Sequence, residues 1–108
     1  MIESAEGFRN AREILSVPGV DACFIGPNDL SITLSFPPGL AELPPPAEEA
    51  IAAILAAARA TGKVAGIEVF QPRAAGPRIE QGFRFVSVMS EFEMVRDTAA
   101  EVLRSIKR

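Results

Sequence analysis

Histidine is absent from the 108 residues, and cysteine occurs once, as Cys23. The first absence excludes a Ser-His-Asp triad, a Cys-His pair and histidine-based zinc sites, which leaves carboxylates as the obvious bases and metal ligands. A lone cysteine excludes an internal disulfide, and its place in the apolar run "VDACFI" reads as a buried, inert thiol in a reducing compartment. Positive charge is also scarce. Lys and Arg total 11 against 14 Asp and Glu, for a formal net charge of -3, and the basic residues are scattered along the chain. Such a surface has no electrostatic footprint for nucleic acid. The stretch "MIESAEGFRN" has neither the basic n-region nor the apolar h-region of a signal peptide, and no apolar run reaches the roughly 18 residues of a membrane span. A cytoplasmic protein with neither nucleic-acid nor membrane partners is the expectation.

What is present is a globular composition, 48% apolar and 23% charged, at the length of one domain. Phe8, Ala11, Ile14 and Leu15 recur at spacings of three and four, predicting a helix from Glu6 to Leu15 with Ser4 as its cap. "SVPGVD" ends it, and "VDACFI" follows as a strand. After "GPNDLS" comes a long connection with five prolines, read as a Pro-rich loop at about 35–46 without a regular helix before Ala47. "AEEAIAAILAAARATG" is dense in helix formers, with Pro46 suited to its first position and Gly62 to its end. "KVAGIEVF" reads as a strand, "QPRAAGPRIEQG" as a helix weakened by Gly76 and Pro77, and "FRFVSVMS" as another strand. "EFEMVRDTAAEVLRSIKR" closes the series as a helix whose apolar face could cover its own sheet or pack across subunits, with Lys107 and Arg108 suiting its negative end. With a short strand at "MIE", this alternation predicts an α/β architecture of about four parallel strands, half of a (β/α)8 barrel that typically needs ~250 residues.

In such folds chemistry gathers at the C-terminal ends of the strands. Glu3 ends the first strand and Asp29 follows the second, and consecutive strands wound right-handed lie ~5 Å apart. Both carboxylates could then reach one divalent cation, with Mg²⁺ or Mn²⁺ accepting two anionic oxygens and keeping positions open for substrate. The plainer alternatives are a favourable charge at a helix start for Glu3 and a turn or cap role for Asp29.

The stretch "MIESAEGFRNAREILSVPGVDACFIGPNDLSITLSFP", continued by "ATGKVAGI" and "EQGFRFVSV", resembles the HpcH/HpaI aldolase family, the 2-oxo-acid or citrate-lyase-like class II aldolases. The resemblance implies the C-terminal half of a (β/α)8 TIM-type barrel across residues 1–108. It implies that Glu3 and Asp29 bind a catalytic Mg²⁺, Mn²⁺ or Co²⁺, and that the backbone of Gly26, Pro27, Asn28 and Asp29 holds a substrate carboxylate. The reaction implied is reversible cleavage of a 4-hydroxy-2-oxo acid to pyruvate and an aldehyde.

Departures from the family pattern are equally informative. By the resemblance, the catalytic His and a substrate-binding Arg belong to the barrel half that this stretch does not include. Met1 stands where many members place Gln, and Glu68 where an apolar residue is usual, so Glu68 becomes a candidate base or extra ligand beside its plainer reading as a solvated or salt-bridged carboxylate. The alternatives are a non-catalytic fragment or one subunit of a split barrel enzyme, and citrate-lyase-type cleavage of an acyl-CoA substrate. Open strand edges imply association, either as a homo-oligomer or with a complementing half-barrel chain.

Overall fold

The computed structural model describes residues 1–39 and 42–106. Its elements are α1 (Ala5–Arg9), α2 (Ala11–Ser16), β1 (Ala22–Ile25), α3 (Pro27–Thr33), α4 (Pro45–Ala60), β2 (Val64–Val69), a 3-10 turn (Pro72–Ala74), α5 (Ala75–Gln81), β3 (Phe85–Val88) and α6 (Glu91–Ser105). The three strands form one parallel sheet in the order β1-β2-β3, with Ile25 opposite Ile67 and Glu68 opposite Ser87. The fourth strand expected at "MIE" is reduced to a single parallel bridge between Ile2 and Ile25, with the Ile2 amide donating to the Phe24 carbonyl at 2.8 Å. Among the described residues no helix is long and apolar enough to cross a membrane.

Alternation along the strands decides where the core sits. Cys23, Ile25, Ala65 and Ile67 project to one face and pack with Leu15 of α2 and with Ala50, Ile51, Ile54, Leu55 and Ala58 of α4. Each fully buried Ile or Leu stabilises the fold by about 2 kcal/mol, so α4 is anchored chiefly by its apolar stripe. Cys23 is buried here, and burial pushes its thiol pKa up, as an inert core thiol requires. On the opposite face lie Phe24, Gly66, Glu68, Phe85 and Ser87.

Several local expectations are refined. The helix predicted from Glu6 to Leu15 is two short helices meeting at Asn10, whose backbone leaves the helical region (φ −97°, ψ 9°). Ser4 caps α1 by accepting from the Gly7 amide at 3.0 Å. "GPNDLS" is no bare turn. Pro27 occupies the first turn of α3, where its missing N–H breaks no hydrogen bond, and the helix continues to Thr33. For the same reason Pro45, rather than Pro46, opens α4, and the connection between the two helices is shorter than expected. Its centre, residues 40 and 41, lies outside the described residues. Gly76 and Pro77 fall in the first turn of α5, so they do not break it.

The last helix contradicts one option outright, because α6 does not cover its own sheet. None of its described residues is buried, and Phe92, Met94, Val95, Val102 and Leu103 are all exposed, as is Ile106 just beyond it. Without burial, a helix of this length is marginal in water, which makes its N-terminal capping box important. Ser90 accepts from the Glu93 amide at 3.3 Å, and the Ser90 amide donates to Glu93 Oε2 at 2.9 Å. The expected placement of Lys107 and Arg108 lies outside the described residues.

Candidate active site

The C-terminal ends of the three strands carry the acidic side chains. Glu3 follows the Ile2 bridge and is half-buried. Its carboxylate lies against the end of β1, where a Cβ built on Gly26 would stand 3.0 Å from Glu3 Oε2 and 3.4 Å from Glu3 Cβ. Gly26 itself has an ordinary extended backbone (φ −100°, ψ 96°), so the glycine is needed here for space rather than for a left-handed turn.

Asp29 sits in the first turn of α3 with its side chain exposed. The Leu30 amide bonds the Gly26 carbonyl at 3.0 Å, whereas the amides of Asn28 and Asp29 precede the helical ladder and have no carbonyl acceptor within it. The Asn28 side chain is committed elsewhere, its Oδ1 accepting from the Gly39 amide at 2.9 Å and so holding the Pro-rich connection down onto α3.

Glu68 is the penultimate residue of β2 and projects from the open face of the sheet. Partial burial pushes its carboxyl pKa upward, and repulsion from Glu93 and from Asp29 adds to the effect in that order. Asp29, beyond β1, and Glu93, beyond β3, thus both act on Glu68 near the end of β2. Glu93 was not among the candidates drawn from sequence. The only available signal was the Ser90-x-x-Glu93 spacing of a capping box, which says that its carboxylate turns back toward the end of β3. Met89, with φ 58°, makes that turn in the left-handed region. Among the described residues no three acidic or thiol side chains converge closely enough to form a metal cluster by themselves.

Beside Glu68 opens a cavity of about 410 Å³, lined by Pro27, Leu43, Phe70, Gln71, Arg73 and Arg78 among others. Glu3 and Asp29 do not line it. Arg78 is held by Glu48 through two hydrogen bonds, of 2.8 and 2.6 Å, which fasten α5 to the start of α4 and neutralise the cation. Arg73 donates from Nε to Gln71 Oε1 at 2.7 Å, leaving the rest of its guanidinium on the cavity wall.

Glu3 and Asp29 carry carboxylate oxygens, the donor type that Mg²⁺, Mn²⁺ or Co²⁺ accepts, and Gly26 leaves room for the Glu3 carboxylate. Glu68 stands nearby as a carboxylate biased toward its protonated form.

Comparison with known proteins gives this arrangement a context. Residues 1–98 match the family model described as HpcH/HpaI aldolase/citrate lyase. The chain is 36% identical over 106 residues to the 2-dehydro-3,6-dideoxy-6-sulfogluconate aldolase of Pseudomonas putida, covering 98% of this chain and 41% of that protein. It is 36% identical over 103 residues to the hydroxypyruvate/pyruvate aldolase of Rhizorhabdus wittichii, again covering 41% of the relative. A crystal structure of an HpcH/HpaI aldolase/citrate lyase family protein from Burkholderia cenocepacia superposes with a TM-score of 0.86 at 32% identity, covering 95% of this chain and 39% of that one. The three parallel strands and their helices are thus consistent with half of a TIM-type barrel, and the chain spans about two fifths of the length of the relatives it matches. With the family model covering nearly all of it, this chain belongs to the HpcH/HpaI aldolase/citrate lyase family.

Proposed function

We propose that this chain carries the acidic part of a divalent-metal aldolase site that reversibly cleaves a 4-hydroxy-2-oxo acid to pyruvate and an aldehyde. The observation that carries the reading is the seating of the Glu3 carboxylate against Gly26 at the end of β1, with Asp29 one helical turn further on in α3. Glu3 and Asp29 would hold the metal. A bound Mg²⁺, Mn²⁺ or Co²⁺ supplies Lewis acidity toward the 2-oxo acid's carbonyl.

The remaining roles fall to protein groups. The free amides of Asn28 and Asp29 orient the substrate carboxylate, and Gly26 and Pro27 shape the backbone that presents them. Cleavage breaks the bond between C3 and C4 of the substrate, the 4-hydroxyl loses its proton as the aldehyde forms, and C3 of pyruvate gains one. Glu68, with its carboxyl pKa raised, is suited to carry a proton between these positions. The cavity beside it, with Arg73 and Gln71 on its wall, receives the aldehyde portion.

A second reading is favoured by the uncovered sheet face and by α6: the chain is one part of a split barrel whose catalytic residues come partly from another polypeptide. Citrate-lyase-type cleavage of an acyl-CoA substrate ranks below both, because "GPNDLS" is closer to the aldolase pattern.

The deciding experiment measures Mn²⁺ binding and pyruvate release for the purified chain, for Glu3→Ala and for Asp29→Ala. Weakened Mn²⁺ binding in both variants supports the metal site. Pyruvate release that needs Mn²⁺ supports the reaction, and release without metal binding to the folded chain overturns the assignment. Metal binding without release points to the split-barrel reading.

A further inference from the structure

Part of the wall of the cavity beside Glu68 comes from two separate places in the chain. Pro27 is the first residue of α3, and Glu42 and Leu43 end the Pro-rich connection that leads on to α4. The hold between these two parts is slight. On the near side the Phe36 amide donates to the Ser31 carbonyl at 2.9 Å, and on the far side Leu43 leans on the core while only partly buried. Between them Pro37 and Pro38 have no amide hydrogen to donate. Among the described residues, the stretch from residue 37 to residue 43 makes one hydrogen bond to the rest of the chain. It runs from the Gly39 amide to Asn28 Oδ1, spans 11 positions and is 2.9 Å long. Gly39 turns there at φ 74°, the left-handed region that glycine enters without strain. Nothing lies within 4 Å of the position that a Cβ on Gly39 would take, so packing does not double the hold at this point.

We propose that the Asn28 side chain is a specificity-determining positioning residue: by holding Gly39 it keeps the Glu42 and Leu43 wall against the cavity and so limits the length of the aldehyde chain that fits there. The inference rests on the reading that the aldehyde portion enters this cavity. Asn28 suits the task because it directly follows Pro27, so one turn of α3 supplies one wall and fastens the other. A single hydrogen bond is enough because prolines stand on both sides of the held stretch. Pro37 and Pro38 precede it and Pro44 follows it, and their fixed φ leaves little chain entropy for the bond to overcome. Without an acceptor at position 28 the stretch swings outward, and the cavity of about 410 Å³ gains length at that wall.

The test compares wild type, Asn28→Ala and Asn28→Asp, with folding checked by circular dichroism. Amide hydrogen exchange at Gly39 is expected to quicken by about tenfold in Asn28→Ala and to stay near wild type in Asn28→Asp, which keeps an acceptor oxygen. Pyruvate, 2-oxopentanoate and 2-oxoheptanoate are then titrated with Mg²⁺ present, the Leu43 methyl signals serving as the readout. Wild type is expected to favour the shorter acids, Asn28→Ala to lose up to about tenfold of that preference, and Asn28→Asp to retain it. The preference is a ratio, so the charge added by Asn28→Asp cancels from it. Unchanged Gly39 exchange in Asn28→Ala, no rescue by Asn28→Asp, or pyruvate binding with a length preference indifferent to position 28 overturns this inference alone. Failure of every 2-oxo acid to bind the folded wild type overturns the aldolase reading and this inference with it.

Discussion

The carboxylate of Glu3 and the α-carbon of Gly26 occupy adjoining space at the ends of neighbouring strands, so that a methyl group on Gly26 would stand 3.0 Å from Glu3 Oε2. Two residues 23 positions apart thus share one seat, and the smaller sets where the larger can point.

Gly26→Ala tests that seat. The φ of −100° suits alanine, so backbone strain adds little, and the folded state loses about 1 kcal/mol through displacement of Glu3. Mn²⁺ binding falls about tenfold or more, as when a group that orients a ligand is disturbed. Thermal unfolding and a Mn²⁺ titration on the same variant separate the two effects. A variant with wild-type Mn²⁺ affinity would falsify the role of Gly26 in placing Glu3.

Gly66 makes a different use of missing atoms. An added Cβ would fall within the van der Waals envelope of the Phe85 ring, so Gly66→Ala destabilises the chain by about 1–3 kcal/mol. Pairing it with Phe85→Leu restores part of the loss, and a double-mutant cycle in urea reads the coupling. Additive losses would show that the ring is not what the glycine accommodates.

Glu68 makes stability depend on pH in a definite direction. Its folded-state pKa is raised, by burial first, then by Glu93 and Asp29. A raised carboxyl favours the protonated native state, so its contribution is fully present below the unfolded-state value and is lost as pH rises through the folded-state value. Glu68→Gln removes that dependence. Wild type and variant are expected to differ least in acid and to diverge through this interval, with the variant the more stable above it, in unfolding curves measured across pH. Parallel curves would show that Glu68 is not perturbed.

Ser31 offers a gain in stability. Its hydroxyl is buried in α3 and has no hydrogen-bond partner among the described residues. Ser31→Ala removes an unsatisfied polar atom and raises helix propensity, so urea unfolding is expected to show about 1 kcal/mol of added stability. A loss of that size instead would mean that the hydroxyl has a partner, such as a bound water.

The sequence by itself determined the alternating helices and strands, because their signals are local. The apolar stripe of α4, the cap at Ser4 and a proline in the first turn of α4 all act within a turn or two of themselves, whereas the helix α3 at Pro27–Thr33 is not legible in this way. The acidic candidates Glu3, Asp29 and Glu68 were also legible, each standing at or just past a predicted strand end. Tertiary structure alone decided which of them meet. Parallel pairing placed Glu68 within reach of Asp29 and of Glu93, a residue that local reading treats only as half of a capping box. It reduced the "MIE" strand to one bridge between Ile2 and Ile25. It also left the apolar face of α6 bare. Periodicity says that such a face is to be buried, and only the tertiary arrangement says that nothing among the described residues provides the cover.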